Sequence, residues 1–398
     1  MTNHQPLNRW RTEMFPTAFI SLLCALLVLT PVSGCRRAAE DQSITVGAML
    51  PLTGNGAKYG EAARKGIELA REEINSRNRI RGKVLNVVYE DSQGDPRRAV
   101  DAFRKLTSVD RVPAVIGDLF SSATLAVAPL ANESRVVLLS PTSSAPELTG
   151  AGPFVFRNVA SDVFEGSVMA GFVEENLKMD MVAILYINNA YGLGIEKVFK
   201  ASFAERGGHI VAEEAFPEGA TDFRSQLTKI RSANPEAVYI VGYRELGPLL
   251  KQAYEIGFRK QFLSTVMFED PENLRVAGRA AEGVIYSARS YDPQSGEPAI
   301  QVFVSAFQQK YGQVPDIFAA LSYDATKILG LAMERNGFQP DEIRQGLLGI
   351  KDFPGVAGLT SFDKNGDVIQ PAMIKVVENG KFVRYSGKPE TGSPVVSH

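Results

Sequence analysis

Two clusters of side-chain hydroxyls dominate the chemistry open to this sequence. Ser121-Ser122 follows the short apolar run Ala114-Val115-Ile116-Gly117 and the segment Asp118-Leu119-Phe120. Ser140-Pro141-Thr142-Ser143-Ser144-Ala145-Pro146 follows a second apolar run, Val136-Val137-Leu138-Leu139. Each run is long enough for one buried strand, and the two stand about one βαβ unit apart. In an open parallel sheet both serine-rich corners then lie at the carboxyl ends of strands, where ligands bind. Ser121 is placed to cap a helix over 123–133, whose free N–H groups and positive dipole end face the same space. A carboxylate set there could accept several hydroxyl and N–H donors. The competing reading is that the serines only cap helices and end strands.

Other chemistries have little to work with. The cysteines are Cys24 and Cys35, and the histidines are His4, His209 and His398. A histidine-rich metal site or a His-dependent triad would depend on His209, which follows Gly207-Gly208 at the start of a strand. There is no G-x-S-x-G elbow. Gly54-x-Gly56 after the first strand invites a dinucleotide reading, and Glu90-Asp91 could imitate a ribose-binding acid, but Tyr59 stands where the third glycine belongs. Asp363 to Asp367 lacks the glycine position of a calcium loop. We therefore expect no catalysis, no metal and no cofactor. The formal net charge of -2 over 398 residues, with 44% hydrophobic and 22% charged, is ordinary for a soluble chain and gives no support for a nucleic-acid partner.

The elements that must position the hydroxyls alternate regularly. Strands are expected over 44–50, 84–89, 114–117, 136–139, 154–157, 181–186, 210–215, 237–241, 262–266 and 283–287. Helices are expected over 61–75, 96–109, 123–133, 164–177, 194–206, 223–232, 246–255, 301–311 and 317–335. Asn365-Gly366 predicts a tight hairpin turn. Such alternation argues for α/β architecture with parallel-type sheets, and there are too many units for one sheet of usual size, so two lobes are expected.

The N-terminus has a separate meaning. Arg9 and Arg11 precede an apolar run over 18–29, too short for a comfortable membrane span, which reads as a secretory signal. Val32-Ser33-Gly34-Cys35 then resembles a bacterial lipobox, cut and lipidated at the Cys35 thiol. This gives a lipoprotein signal peptide over 1–34 and a membrane anchor at Cys35. Position 36 is Arg, so the resemblance supplies no inner-membrane retention signal.

An ordered series of short motifs carries a wider resemblance. Gly47-Ala48-Met49-Leu50-Pro51-Leu52-Thr53-Gly54 is followed by Tyr59-Gly60, Glu90-Asp91-Ser92, Ser121-Ser122, Ser140-Pro141 and Pro146-Glu147-Leu148-Thr149. Tyr191-Gly192, Gly242-Tyr243, Ala280-Ala281-Glu282-Gly283, and Phe362-Asp363 with Gly366-Asp367 come later. The series resembles the Leu/Ile/Val-binding protein family, the type 1 periplasmic solute-binding proteins of ABC importers, over nearly all of the chain after Cys35. That resemblance implies two Rossmann-like lobes joined by three crossovers near Asn158-Val159, Ser290 and Thr360. Lobe one would be 43–158 plus 291–359, lobe two 160–289 plus 361–387, and 388–398 a tail. The ligand would sit between the lobes and be trapped by closure.

By position, the resemblance implies that Ser121 and Ser144 hold a ligand carboxylate, with backbone N–H help from Ser122 or Ser144. Ser143 would offer its backbone carbonyl to a ligand ammonium. Tyr59 would stand at the cleft wall, and Tyr191 and Tyr243 would close from lobe two. One position departs. The family's branched-chain amino acid binders carry a glutamate in the loop after the strand near Phe262, and ungapped counting places Val266 there. A buried ammonium with no carboxylate is costly. Either Glu269, three residues on, turns in, or the ligand is an ammonium-free aromatic or aliphatic acid or amide. The implied role is an exported binder of an amino acid, branched-chain type, facing the periplasm or cell exterior and delivering to an ABC permease. A ligand-sensing or regulatory module on the same fold is the alternative.

Overall fold

The computed structural model describes residues 42–77, 79–289, 291–368 and 373–387. The signal segment 1–34, the lipobox Cys35, the crossover residue Ser290 and the tail 388–398 lie outside the described residues. Among those described, no helix is long and apolar enough to cross a membrane.

Two separate sheets carry the chain. The first contains β1 (Ser43–Leu50), β2 (Val84–Asp91), β3 (Ala114–Gly117), β4 (Val137–Ser140) and β5 (Val155–Arg157), in the order β2-β1-β3-β4-β5. Every pairing in it is parallel. The second contains β6 (Met181–Ile187), β7 (His209–Phe216), β8 (Ala237–Val241), β9 (Gln261–Ser264) and β10 (Ile285–Ala288). A small hairpin of β11 (Phe353–Gly355) and β12 (Gly358–Thr360) comes next, and β13 (Met373–Glu378) and β14 (Lys381–Arg384) return to the edge of the second sheet. Its order is β14-β13-β10-β9-β8-β6-β7, parallel from β7 to β10 and antiparallel at β13 and β14. The α/β, two-lobed expectation is therefore met, with an antiparallel edge added to the second lobe.

The residues explain the layering. β3, β4 and β8 are buried at every position, and their unbroken apolar runs fit strands covered by helices on both faces. The covering helices are α1 (Ala57–Arg77), α2 (Pro96–Arg104), α3 (Ser121–Ser134), α4 (Asp162–Phe172), α5 (Ala190–Glu205), α6 (Arg224–Ala233), α7 (Leu246–Glu255), α8 (Pro271–Ala277), α9 (Pro298–Tyr311), α10 (Ile317–Asn336) and α11 (Pro340–Leu348). Sequence reading omits α8 and α11. Both open on a proline, which reads as a loop signal yet suits the first helical position. It also omits β11 to β14, which are short. A turn forms around Asn365-Gly366, but not the tight Asn-Gly hairpin expected: the Gly366 N–H donates to the Asp363 carbonyl at 3.2 Å, so Lys364 and Asn365 make the corner, and Phe362 meets Val368 only as an isolated bridge.

The chain passes between the sheets after β5, after β10 and after β12. Two of these passages are tied together, because Thr360 Oγ1 donates to Asn158 Oδ1 at 3.0 Å.

Each sheet reverses its winding at one place. In the first sheet the chain runs from β1 to β2 on one side and then to β3 on the other. In the second it runs from β6 to β7 and then back to β8. A crevice opens at such switch points, beyond the carboxyl ends of the strands. Tyr59 lies beyond β1, Ser121 beyond β3, Tyr191 beyond β6 and Tyr243 beyond β8. In both lobes the first turn is tight enough to require glycine after the tyrosine. A Cβ on Gly60 would stand 2.1 Å from the Pro51 carbonyl oxygen, and one on Gly192 would stand 1.9 Å from that of Ile187.

Candidate functional site

The floor of the cleft is built where β3 and β4 end. Asp118 is fully buried, and its Oδ1 accepts the Phe120 N–H at 2.9 Å while Ser92 donates to Oδ2. Burial pushes the Asp118 carboxyl up to about 6, against the hydrogen bonds from Ser92 and the Phe120 amide. The Asp118 carbonyl accepts Ser140 Oγ at 2.7 Å and Ser143 Oγ at 3.1 Å, and the Leu119 carbonyl accepts Thr142 Oγ1 at 2.8 Å. The two corners are thus stitched together by hydroxyls from the second, and these hydroxyls hold the fold.

Ser121 differs from its expected place. It is the first residue of α3 rather than its cap, which is Phe120 in an extended conformation. Asp118 has already taken the Phe120 amide, so Ser121 Oγ turns toward the second corner and accepts the Ala145 N–H at 3.2 Å. Its hydroxyl proton has no acceptor among the described residues. This contact brings Ser121 and Ser144 to one spot, both almost fully buried. The spot is braced from below by Arg157, 1% exposed, whose Nη1 donates to the carbonyls of Ser144 at 2.9 Å and Ala145 at 2.8 Å. Arg157 also pairs with Asp367 at 2.6 Å and donates to Thr149.

Lobe two supplies the roof. Tyr191 and Tyr243 stack with centroids 5.2 Å apart, and Tyr191 donates its hydroxyl to Thr265 Oγ1 at 2.7 Å. Burial raises both phenols above their ordinary range. The lobes touch here: Phe120 lies 5.2 Å from the Tyr243 ring and Tyr59 lies 6.5 Å from it. Ser122 Oγ accepts the Ala190 N–H at 3.1 Å across the gap, and Lys58 pairs with Asp270 at 2.8 Å at its rim. The conformation is closed.

Ser121, Ser144, Tyr191 and Tyr243 line one small cavity, together with Val266 and Arg289. The other expected site residues stand nearby without lining it. Ser122 bridges the lobes, and Ser143 directs its hydroxyl into lobe one, bonded to Thr124 at 2.7 Å. Tyr59 packs on Phe318 at 4.5 Å and faces a neighbouring cavity with Lys58 and Asp270. Glu269 faces that same neighbouring space and is ion-paired with Lys375. Burial raises the Glu269 carboxyl and the lysine opposes the shift.

Sequence reasoning misses Phe120, Arg289, Asp162 and Glu165. The acids sit in the first turn of α4 after the cap Ser161, where acidic residues are ordinary partners of the helix dipole. Their burial depends on packing between crossover and roof, which no local pattern records. Burial pushes the Asp162 carboxyl up to about 8, and the charge of Glu165 adds to the rise. Among the described residues no group of His, Cys, Asp or Glu could hold a metal ion.

Known proteins share this fold. The chain is 29% identical over 351 residues to the Leu/Ile/Val-binding protein homolog 3 of Brucella melitensis, covering 87% of this chain and 94% of that one. It superposes with a TM-score of 0.79, at 31% identity, on the branched-chain amino acid transporter substrate-binding protein of Streptococcus pneumoniae in complex with isoleucine, covering 85% of this chain and 97% of that one. A solute-binding protein of an ABC transporter from Rhodopseudomonas palustris, in complex with 3,4-dihydroxybenzoic acid, gives a TM-score of 0.78 at 25% identity, over 86% of this chain and 96% of that one. The sequence model of the periplasmic binding protein family matches residues 43–381, and the chain belongs to that family.

Proposed function

We propose that this protein is the extracytoplasmic solute-binding component of an ABC importer, binding a small carboxylate-bearing ligand between its lobes and presenting it to a permease. The observation that carries this reading is the meeting of Ser121 and Ser144 under Tyr191 and Tyr243. The ligand carboxylate takes the free hydroxyl proton of Ser121 and the hydroxyl of Ser144, the two tyrosines cover its body, and closure buries it. Binding needs no chemistry. The ligand acts by its differential affinity for the closed form. The relatives that bind branched-chain amino acids support an amino acid of that type. The lobes follow 43–158 plus 291–359 and 160–289 plus 361–387, and Cys35 anchors the processed chain to the membrane through its lipid.

A second ligand class is favoured by one observation. Val266, an apolar residue in the cavity wall, stands where the resemblance calls for an acid, which suits an ammonium-free acid.

Calorimetry and thermal shift against amino acids, aromatic acids and short amides test the proposal. A true ligand raises the melting temperature by several degrees at saturation. Ser121→Ala and Ser144→Ala each weaken that ligand by about 1–3 kcal/mol if they hold its buried carboxylate. Unchanged affinity in both variants would remove the assignment.

A further inference from the structure

The first crossover places two acids behind the wall of the same cavity, bonded to its lining residues Ser144 and Val266 without lining it themselves. Asp162 is fully buried; the Ser144 hydroxyl lies near enough to favour its charged form, yet neither carboxylate oxygen has a hydrogen bond of ordinary geometry among the described residues. Glu165 is 6% exposed; its Oε1 accepts the Val266 N–H at 2.8 Å and the Ser287 hydroxyl, and its Oε2 has no partner. The Tyr239 hydroxyl, also fully buried, is unpartnered.

Several residues around this pair, Ser144, Val266, Arg289, Tyr191 and Tyr243, belong to the cavity wall. The Asp162 N–H donates to the Ser144 carbonyl at 2.8 Å. Val266 is held by Glu165 through its backbone. Arg289, on the same wall, and Arg157, beneath the serine corner, are the cations that act on Asp162. The phenols of Tyr191 and Tyr239 lie in the field of both acids, and that of Tyr243 in the field of Asp162.

Buried carboxylates without partners are costly, and a fold keeps them where something else completes them. Three carboxylate oxygens are orphaned here. An alkylammonium group carries three N–H donors and no acceptor, which is the complementary set. A divalent cation is less suited, since two carboxylates alone give too few protein ligands. Glu165 also reaches the place where position 266 falls short, because it is bonded to the backbone of Val266 itself.

We infer that Glu165, with Asp162, supplies from the start of α4 the negative charge that position 266 lacks, so that the ligand carries a protonated amine beside its carboxylate. This rests on the reading of Ser121 and Ser144 as the carboxylate holders, and it decides against the ammonium-free alternative.

The test pairs each amino acid with its deaminated acid: L-isoleucine with 3-methylpentanoate, L-leucine with 4-methylpentanoate, and L-phenylalanine with 3-phenylpropanoate. Affinities are measured by calorimetry on the processed chain, on Glu165→Gln, which keeps an acceptor for Val266 and Ser287, on Asp162→Asn and on Ser144→Ala. The expected result is that the wild type prefers the amino acid of at least one pair by tenfold or more. Glu165→Gln and Asp162→Asn should each lower that preference at least tenfold while moving the deaminated acid less than threefold. Ser144→Ala should weaken both members of the pair alike. If Ser144→Ala weakens both but neither acid variant changes the preference, the inference fails and the carboxylate reading stands. If Ser144→Ala weakens neither, the carboxylate reading fails first. A wild type that prefers the deaminated acids overturns the inference outright, as does one that binds none of the probes. Melting curves of the unliganded variants confirm that each folds.

Discussion

At the hydroxyl end of the cleft, Ser140, Thr142 and Ser143 give their protons to carbonyls of the first corner, and Arg157 closes the structure from below. At the acid end, Asp162 and Glu165 leave three oxygens without any partner. The first end is held by its own hydrogen bonds, with the Ser121 hydroxyl proton left to give, and offers a preformed template. The second keeps unpartnered oxygens even though Arg157 and Arg289 act on Asp162. On the proposed reading, one cleft divides its tasks: order at the hydroxyl end, and unmet electrostatic demand at the acid end.

Three perturbations would break or sharpen that comparison. The largest effect is expected for Arg157→Leu. It removes the ion pair with Asp367 and the donors to Ser144, Ala145 and Thr149, leaving a partly buried carboxylate without its cation, although the Thr149 hydroxyl still donates to it at 2.7 Å. Breaking a buried pair from one side costs about 3–5 kcal/mol, to be read from chemical denaturation, with a parallel loss of ligand affinity. A loss below about 1 kcal/mol would mean that the hydroxyls alone hold the corner.

An opposite sign is expected at the acid end. The folded protein raises the Asp162 carboxyl from 3.8 to about 8, so its contribution is fully present below pH 3.8 and is lost as pH rises through about 8. Asp162→Asn should therefore stabilise the unliganded protein by about 2 kcal/mol at pH 9 and make little difference near pH 4. Asp118 and Asp324, pushed up to about 6 and about 7 by burial, tilt wild type and variant alike, so the difference between the two curves is the measurement. Parallel curves would show that the acid end carries no such burden.

The smallest effect belongs to the rim. Lys58 is 58% exposed where it meets Asp270, and solvent screens the pair. Lys58→Ala should weaken ligand binding by no more than about 0.5 kcal/mol, and less in high salt. A tenfold loss would place the closing force at the rim rather than at the aromatic contact.

Much of the frame was legible in the residues. Runs such as Ala114 to Gly117 have no polar face, so they could only be strands buried on both sides. Tyr191 and Tyr243 stand directly after such runs, which is enough to put them at the switch point of a sheet. What stayed hidden depends on distant partners. Nothing near Glu269 announces Lys375, more than a hundred positions away, yet their ion pair directs this acid into the neighbouring space. The acceptor of the Ser143 hydroxyl, the Asp118 carbonyl, belongs to the other corner, which no local pattern around Ser143 records. The helix expected from 164 leaves Asp162 in a loop and Glu165 as an ordinary first-turn acid; the observed start at Asp162 and the packing of α4 against Val266 and Ser144 distinguish them.

The aromatic contact across the gap also gives the molecule an optical signature. The sequence has a single tryptophan, Trp10, ahead of Cys35. A chain cleaved at Cys35 has no indole to mask phenol emission. Tyr59, Tyr191 and Tyr243 change surroundings together when the halves part, so near-ultraviolet spectra can follow loading and release without an attached dye.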